Sequence, residues 1–587
     1  MKLRFTALFS CLLFSVINLA QEADIEQRIQ WVNEDFHFSG TSLDQALPAF
    51  ERPSFDEEWM LLPFRRFVFP IPASVSDVQL EFLSTHASSK AHPPYEGSQF
   101  AYRWHVAKER KQSRLLVDVV PYSSDGSKLL DAFRVRYTQK AETERSNKTN
   151  TFKTQSILAT GSWSKIAVEE DGIYRISAQY LIDNGLDLSG VAANGVRIFG
   201  NGAGMLPENN SISQIDDLEE IPVRAVDVNG NGSFDQGDYL LFYARGPHAW
   251  RLQSATFQHS FNLYAEESYY FLTTDLGPSK PVGSETSVSA PQSATSSGFD
   301  DRAFLERDLD KVVDSGKQWF EEKFEFTLSY NYGFNFPHII STEPVTLTCR
   351  AIARSSTAGT QMRLTQAGQT RLNLSFPAVN TTSGADFVRA VEETSSFLPT
   401  GPSLSFTATY DNGINPSAVA WMDYVRMQVR RELNLAGLRQ LQFRDLRTVG
   451  TGEITQFDLV NASSNNVVWD VTDIHNVREI SAQLNGATLS FTVRTDSLRE
   501  FVAFGGSNFP QPLWRGAVDN QNLHSLSVPE LVIIYPENFE PAVQRLADFH
   551  RNESGLSVEA IELGQLYNEF SSGSPDPTAI RNLARMF

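Results

Sequence analysis

Cysteine is almost absent from these 587 residues; there are two, Cys11 and Cys349. Cys11 falls in an apolar leader, so Cys349 is expected to be alone in the mature chain, which excludes an intrachain disulfide. Cys349 ends the alternating run Pro344–Cys349 and reads as a buried structural thiol, not a nucleophile. Charge is also sparse, at 20% of residues, and it is unbalanced, with a formal net charge of -20. Such an acidic chain repels phosphate backbones, which argues against nucleic acid as a partner. Beyond the leader, no stretch reaches the roughly 18 consecutive apolar residues of a membrane helix, so no transmembrane helix is expected. What the chain does have is aromatic surface: 11% of residues are Phe, Trp or Tyr, and Phe alone accounts for 41. These residues favour pleated strands, and the length predicts several domains rather than one.

The leader, 1–20, has Lys2 and Arg4 ahead of the apolar stretch Phe5–Ile17 and a cleavage point at Ala20–Gln21, the pattern of a signal peptide and hence of an exported protein. Residues 21–138 read as an N-terminal β domain, with strands at Phe67–Ile71, Val117–Val120 and Phe133–Tyr137 and a turn at Ser124–Gly126. Residues 139–160 are polar and aperiodic, a linker. A second β domain, 161–276, opens with Trp163–Val168, the turn signal Asp171-Gly172 and Ile173–Ile176, which together predict a hairpin. A short helix over Ala178–Asn184 stopped by Gly185 follows, then strands at Val196–Phe199 and Asp238–Tyr243. Residues 277–302 read as a linker or long loop. Residues 303–435 predict a β-sandwich, with alternating strands at Phe324–Tyr330, Leu404–Tyr410 and Tyr424–Val429. A smaller β segment, 436–527, has its clearest strand at Val467–Val471.

The pattern then changes. Leu531–Ile534 is apolar without alternation, as in a strand buried on both faces. Pro541 begins a helix with Val543, Leu546, Ala547 and His550 on one face, and Gly555 stops it. Leu556–Ile561 is a second strand, and Asp576-Pro577 caps a further helix carrying Ile580, Leu583 and Phe587. Strand–helix–strand–helix predicts a parallel sheet. Two strands do not complete one, so 528–587 is expected to be the incomplete start of an α/β domain.

The sharpest local motif is Asp227, Asn229, Asn231, Ser233, Asp235 and Asp238, with Gly232 at the sixth position. It fits the oxygen-ligand spacing of an EF-hand loop and so predicts bound calcium, Ser233 contributing its carbonyl. Aspartate stands where that loop usually has glutamate, and strands flank it in place of helices, so an Asx-rich turn without metal is the competing reading. Gly200, Gly202 and Gly204 follow a strand, but they lack the phosphate-loop spacing and read as a turn. His86 and His92 are six apart beside Pro93-Pro94, a surface loop rather than a metal pair. Asp216–Glu220 reads as a solvated acidic loop. Trp421, Trp469 and Trp514 read as core residues rather than sugar platforms.

Five tracts carry a resemblance: Trp163–Ile166 with Asp171–Tyr174, Arg197–Gly202, Met205–Asn209, Gly237–Tyr243 and Pro575–Asn582. The first four resemble the second β module of type IX secretion sortases. The last is similar to the opening of gingipain-type C25 cysteine peptidase domains. The resemblance implies several β-rich modules followed by the start of a caspase-like peptidase domain, at the outer-membrane surface of Bacteroidota. It implies removal of C-terminal sorting domains from exported cargo, attachment of cargo to lipopolysaccharide, and outer-membrane secretion components as partners. It also implies a His/Cys dyad, but no position of this chain matches one, so no catalytic residue is assigned and the chain alone is expected to be inactive. The alternatives are a secreted gingipain-like protease and a non-catalytic adhesin or carbohydrate-binding protein.

Overall fold

The computed structural model describes residues 22–36, 47–54, 62–71, 75–88, 99–108, 113–139, 152–202, 204–313, 318–380 and 387–587. The leader 1–20 expected to be a signal peptide, His92 and the polar stretch 140–151 lie outside these residues. Two compact units are present, Met1–Thr151 and Phe152–Phe587. Among its described residues the regular structure of the first is all strand: Glu22–Arg28, Lys128–Gln139, Ser113–Ser123, Phe64–Ile71 and Pro53–Ser54 in that order, with Val75–Ala87 and Phe100–Lys108 paired alongside. Leu115, Val117 and Val119 of one strand are fully buried. Asp118 is buried with them, gripped by Arg66 at 2.7 Å and Arg103 at 3.1 Å. Burial alone would raise its carboxyl, but the two guanidiniums outweigh this and hold it below its ordinary range.

The second unit is β-rich and ends in an α/β segment. Its first sheet runs Glu220–Ile221, Arg197–Phe199, Ser268–Thr273, Trp163–Val168 and Leu513–Val518. Gly172–Ser177 pairs with Tyr239–Ala244 in a separate sheet. The expected hairpin across Asp171-Gly172 is therefore not formed: Trp163–Val168 and Gly172–Ser177 diverge into two sheets. Both strands are buried at most positions, on both faces, and a flat two-stranded ribbon would leave one face wet. Asp171 fixes the corner by accepting from the Gly246 amide at 2.8 Å.

The sandwich packs Gly298–Leu305, Val419–Glu432, Val345–Arg354 and Arg389–Phe397 against Ser329–Asn335, Ser403–Asp411, Thr360–Gln366 and Gln369–Phe376. The strand expected over Phe324–Tyr330 is two strands. Lys323–Phe324 pairs with Val419–Glu432 in one sheet, and Ser329–Asn335 pairs with Ser403–Asp411 in the other. The crossing leaves Phe326 95% exposed, so the alternation is interrupted where the chain changes sheets. Residues 277–302, expected as a linker or long loop, supply two short edge strands, Gly283–Glu285 and Ala294–Ser296, each paired in parallel with a strand from 436–527, and the first half of the sandwich strand Gly298–Leu305. Three-residue edges carry too little alternation to stand out from a Pro- and Ser-rich stretch.

Leu531–Tyr535 and Val558–Glu562 form the parallel pair expected from the sequence, joined by the helix Glu540–Glu553 and followed by helices Leu563–Phe570 and Thr578–Met586. Leu531–Ile534 is half-buried rather than buried on both faces, because among the described residues its sheet has only these two strands.

Residues 436–527 are centred on Phe443, whose ring lies 5.3 Å from Phe501, 6.0 Å from Phe457 and 6.3 Å from Phe491. Phe443→Ala removes the shared ring of this cluster and is expected to cost about 3–5 kcal/mol. Urea denaturation followed by aromatic fluorescence checks it; an unchanged midpoint contradicts this packing.

Candidate functional site

The tracts Met205–Asn209 and Pro575–Asn582, far apart in sequence, meet in space. Asp576 is buried and works in two directions. Its Oδ1 accepts from the Thr578 amide at 2.8 Å, capping the last helix, and its Oδ2 accepts from the Leu206 amide at 2.8 Å. Arg581 reaches back to donate to the carbonyls of Pro207, at 2.7 Å, and Glu208. Leu206 packs on the apolar cluster of Leu523, Ile561, Leu566, Phe570, Ala579 and Leu583. The α/β segment is thus docked on the second β domain by one helix terminus, one arginine and one small core.

Gly200 and Gly202 belong to the same joint. A Cβ on Gly200 would lie 2.6 Å from the Tyr270 ring, and one on Gly202, whose φ is +88°, 2.8 Å from Ile474. The turn lets the Asn201 amide donate to Ser572 Oγ at 3.1 Å and the Asn201 side chain donate to the Asp217 carbonyl at 2.6 Å. Lys165 donates to the Gly573 carbonyl at 2.9 Å. Burial lowers its pKa to about 8 against the opposing pull of Glu267 and Glu562.

At the centre is a histidine that sequence reasoning missed. His524 is buried, with Nδ1 2.5 Å from Glu569 Oε2 and Nε2 2.9 Å from Asp216 Oδ1, and it stacks on Phe570 at 4.7 Å. Burial alone would lower its pKa. The hydrogen bonds and charges of Asp216 and Glu569 outweigh that and raise it to about 9, so it is an imidazolium donating from both nitrogens. Glu569 is saturated, also accepting from Gln521 Nε2 and the amides of Leu523 and His524. Asp217, at φ +59°, accepts from Ser156 Oγ and the Ile157 amide. The donor atoms of Asp217, His524 and Glu569 all lie within 4.8 Å of one another, a spacing a metal could use. Each is already committed to a hydrogen-bond partner, however, so the arrangement is a charge clasp. Asp216 and Asp217, expected in a solvated loop, are its β-domain half. Nothing in the sequence links His524 to residues 45 and 308 positions away.

The calcium candidate lies elsewhere, as the hairpin loop between Val223–Val226 and Tyr239–Ala244. Asp227 accepts from the amides of Gly230 and Gly232, at 2.7 and 2.8 Å. Asn229 and Asn231 donate to Asp235 at 2.9 and 2.6 Å, and Asn231 Oδ1 accepts from the Ser233 amide at 2.8 Å. Asp238 is fully buried and accepts from the amides of Val228 and Asp235. The loop is closed by its own hydrogen bonds, as in an Asx-rich turn. Cys349 is fully buried with Sγ 3.4 Å from Met422 Sδ, and burial pushes its thiol far up, so it is no thiolate. His86 pairs with Asp131 at 2.7 Å. Trp421 and Trp469 are buried, and Trp514 packs half-buried against Tyr180.

The clasp has a pH signature. The His524 pKa is about 9 folded and about 6.5 unfolded, so the folded state holds the proton more tightly. Its contribution is complete below about pH 6.5 and is lost as pH rises through about 9; Lys165, depressed by burial, runs the opposite way. His524→Gln is therefore expected to expose 563–587 to limited proteolysis at pH 7. The protection that separates wild type from variant should shrink by pH 9.5. An equal difference at both pH values contradicts the clasp.

Residues 524–587 match the family model of peptidase family C25. No curated protein matches the chain. Among solved structures, dimeric latent PorU from Porphyromonas gingivalis aligns with a TM-score of 0.64 and 26% identity, covering 74% of this chain and 40% of that one. The chain thus spans well under half of PorU's length. The infectious bursal disease virus VP2 subviral particle aligns at 11% identity over 69% of this chain and 90% of that one, but its TM-score of 0.12 denotes no shared fold. Residues 524–587 are thus similar to peptidase family C25, and the chain that carries them has a fold similar to that of PorU.

Proposed function

We propose that this chain is the β-rich support and the opening part of a sortase-type cysteine peptidase, exported to the cell surface at the outer membrane. There it would remove C-terminal sorting domains from cargo and attach cargo to lipopolysaccharide, with secretion-system components as neighbours. The observation that carries the reading is the docking of Pro575–Asn582 on Met205–Asn209 within a PorU-like fold. A scaffold that grips the first strands and helices of a peptidase domain fixes where its later strands, and the residues borne on them, will stand. In a cysteine peptidase a thiolate attacks the scissile carbonyl while a histidine serves as base and then acid. Neither role falls to the residues described above. Cys349 is a buried neutral thiol, and both nitrogens of His524 are committed to carboxylates.

Loss of the gene in its host is expected to leave exported cargo carrying uncut sorting domains, read by mass spectrometry of surface proteins; normally trimmed cargo would overturn the reading. The purified chain alone is expected to leave a sorting-domain peptide intact, and cleavage by it would show that the catalytic groups lie within these residues.

Calcium at 227–238 is the second part of this proposal. What supports it is the spacing of Asp227, Asn229, Asn231, Ser233, Asp235 and Asp238 within one twelve-residue hairpin loop, tied together by hydrogen bonds among its own side chains and amides. Calcium is expected to raise the melting temperature and EDTA to reverse it. Superimposable melting curves would sink the assignment.

A further inference from the structure

A cavity of about 700 Å³ lies between the hairpin Ala249–Gln253/Thr256–Ser260 and the sandwich strands Val345–Arg354 and Val419–Glu432. Its lining holds a buried cation without an anion. Arg426 is 3% exposed, its Nε has no hydrogen-bond partner, and among the described residues no carboxylate lies within ion-pair distance of it. Its Nη1 lies 3.3 Å from Nδ1 of His259, whose Nε2 is 2.6 Å from Glu306 Oε2. A guanidinium only donates, so Nδ1 accepts, the ring proton sits on Nε2, and His259 is a neutral donor to Glu306. Burial, with Arg426 beside it, keeps His259 from charging.

The other charges of the cavity do not neutralise Arg426. Asp423 is taken by Arg350. Burial, with help from Asp308, raises the Glu306 carboxyl to about 7, so its negative charge is weakly held. Arg251 stands exposed on the rim and adds a second unpaired cation among the described residues. The walls are aromatic, with Trp319, Phe387 and Tyr424.

A buried guanidinium without a counter-ion is costly, whereas a planar carboxylate matches its fork with two parallel hydrogen bonds. The volume lies in the range of small-molecule sites. We propose that this cavity binds a carboxylate-bearing ligand, its carboxylate on Arg426 and its ring or apolar body against the aromatic walls. The carboxy-terminal residue of a peptide and a sugar acid offer the same chemistry. The site is built from residues 251–426, apart from the C25 segment, so it stands or falls independently of the peptidase reading.

Isothermal titration of the purified chain tests it with two carboxylate probes, N-acetyl-L-phenylalanine and glucuronate. Each is run against its uncharged counterpart, N-acetyl-L-phenylalaninamide and methyl glucoside. At least one carboxylate is expected to bind, at least about tenfold more tightly than its counterpart, and the tighter of the two identifies the source. Arg426→Gln and the rim variant Arg251→Ala are each expected to weaken it about tenfold. If Arg426→Gln does not fold, Arg251→Ala decides alone. No carboxylate binding at millimolar concentration, equal binding of the uncharged counterparts, or unchanged affinity in Arg251→Ala overturns the proposal.

Discussion

A proton on His524 holds together a buried carboxylate, Glu569, and a partly buried one, Asp216. Glu569 comes from a helix of the C25 segment and Asp216 from a loop of the β domain. Burying Glu569 without a cation beside it would be costly, so the imidazolium favours the closed arrangement of the two parts. Once it is in place the remaining contacts follow in register. Arg581, Asn201 and Lys165 donate to backbone or side-chain oxygens across the joint, and Asp576 accepts at the head of the last helix. These are directional bonds of modest individual worth; their value is that they fix one orientation of the segment.

The same device recurs in the β modules. Although the chain is acidic overall, arginines are concentrated inside it. Glu500 sits between Arg302 at 2.8 Å and Arg444 at 3.3 Å. Burial would raise its carboxyl, but Arg444, Arg302 and Arg245 together bring it down to about 2. Arg430 bridges Asp300 and Asp445, and Arg431 holds Asp301. Much of this charge falls on Gly298–Leu305, the strand that leads from the small β segment into the sandwich. Ion pairs of this kind add little net stability over an apolar replacement, yet breaking one partner is costly. They act as fixed joints beside hydrophobic cores, one of which is itself shared: Trp469, Val502 and Phe504 of the small β segment pack in one cluster with Ile166, Ile176 and Phe242 of the second β domain.

Much of this architecture was legible in the sequence because alternation and turn chemistry are local. Leu404–Tyr410, Phe133–Tyr137 and the parallel pair at 531–562 could be read from a few residues each. The failures came where the chain changes sheets. The corner at Asp171 and the crossing after Phe324 keep a strand-like pattern on both sides, and only the tertiary pairing tells a hairpin from a divergence. The helix Leu563–Phe570 went unread; it starts directly from a strand, with Glu562 accepting from the Gln565 amide as its cap. The two family-like tracts were visible singly. Their contact was not, and neither was the clasp, because its partners are joined only by the fold.

The pairing of Trp163–Val168 with Leu513–Val518 has a consequence for the order of folding. Trp163 stands opposite Val518 in a completed sheet. A chain made from its amino terminus therefore leaves one edge of that sheet open while about 350 further residues are added, a long loop to close and a slow step to reach. Until then Trp163–Val168 is a hydrophobic edge of the kind that recruits foreign strands. The sequence must therefore be shielded, or crowded by its own neighbours, through most of its synthesis.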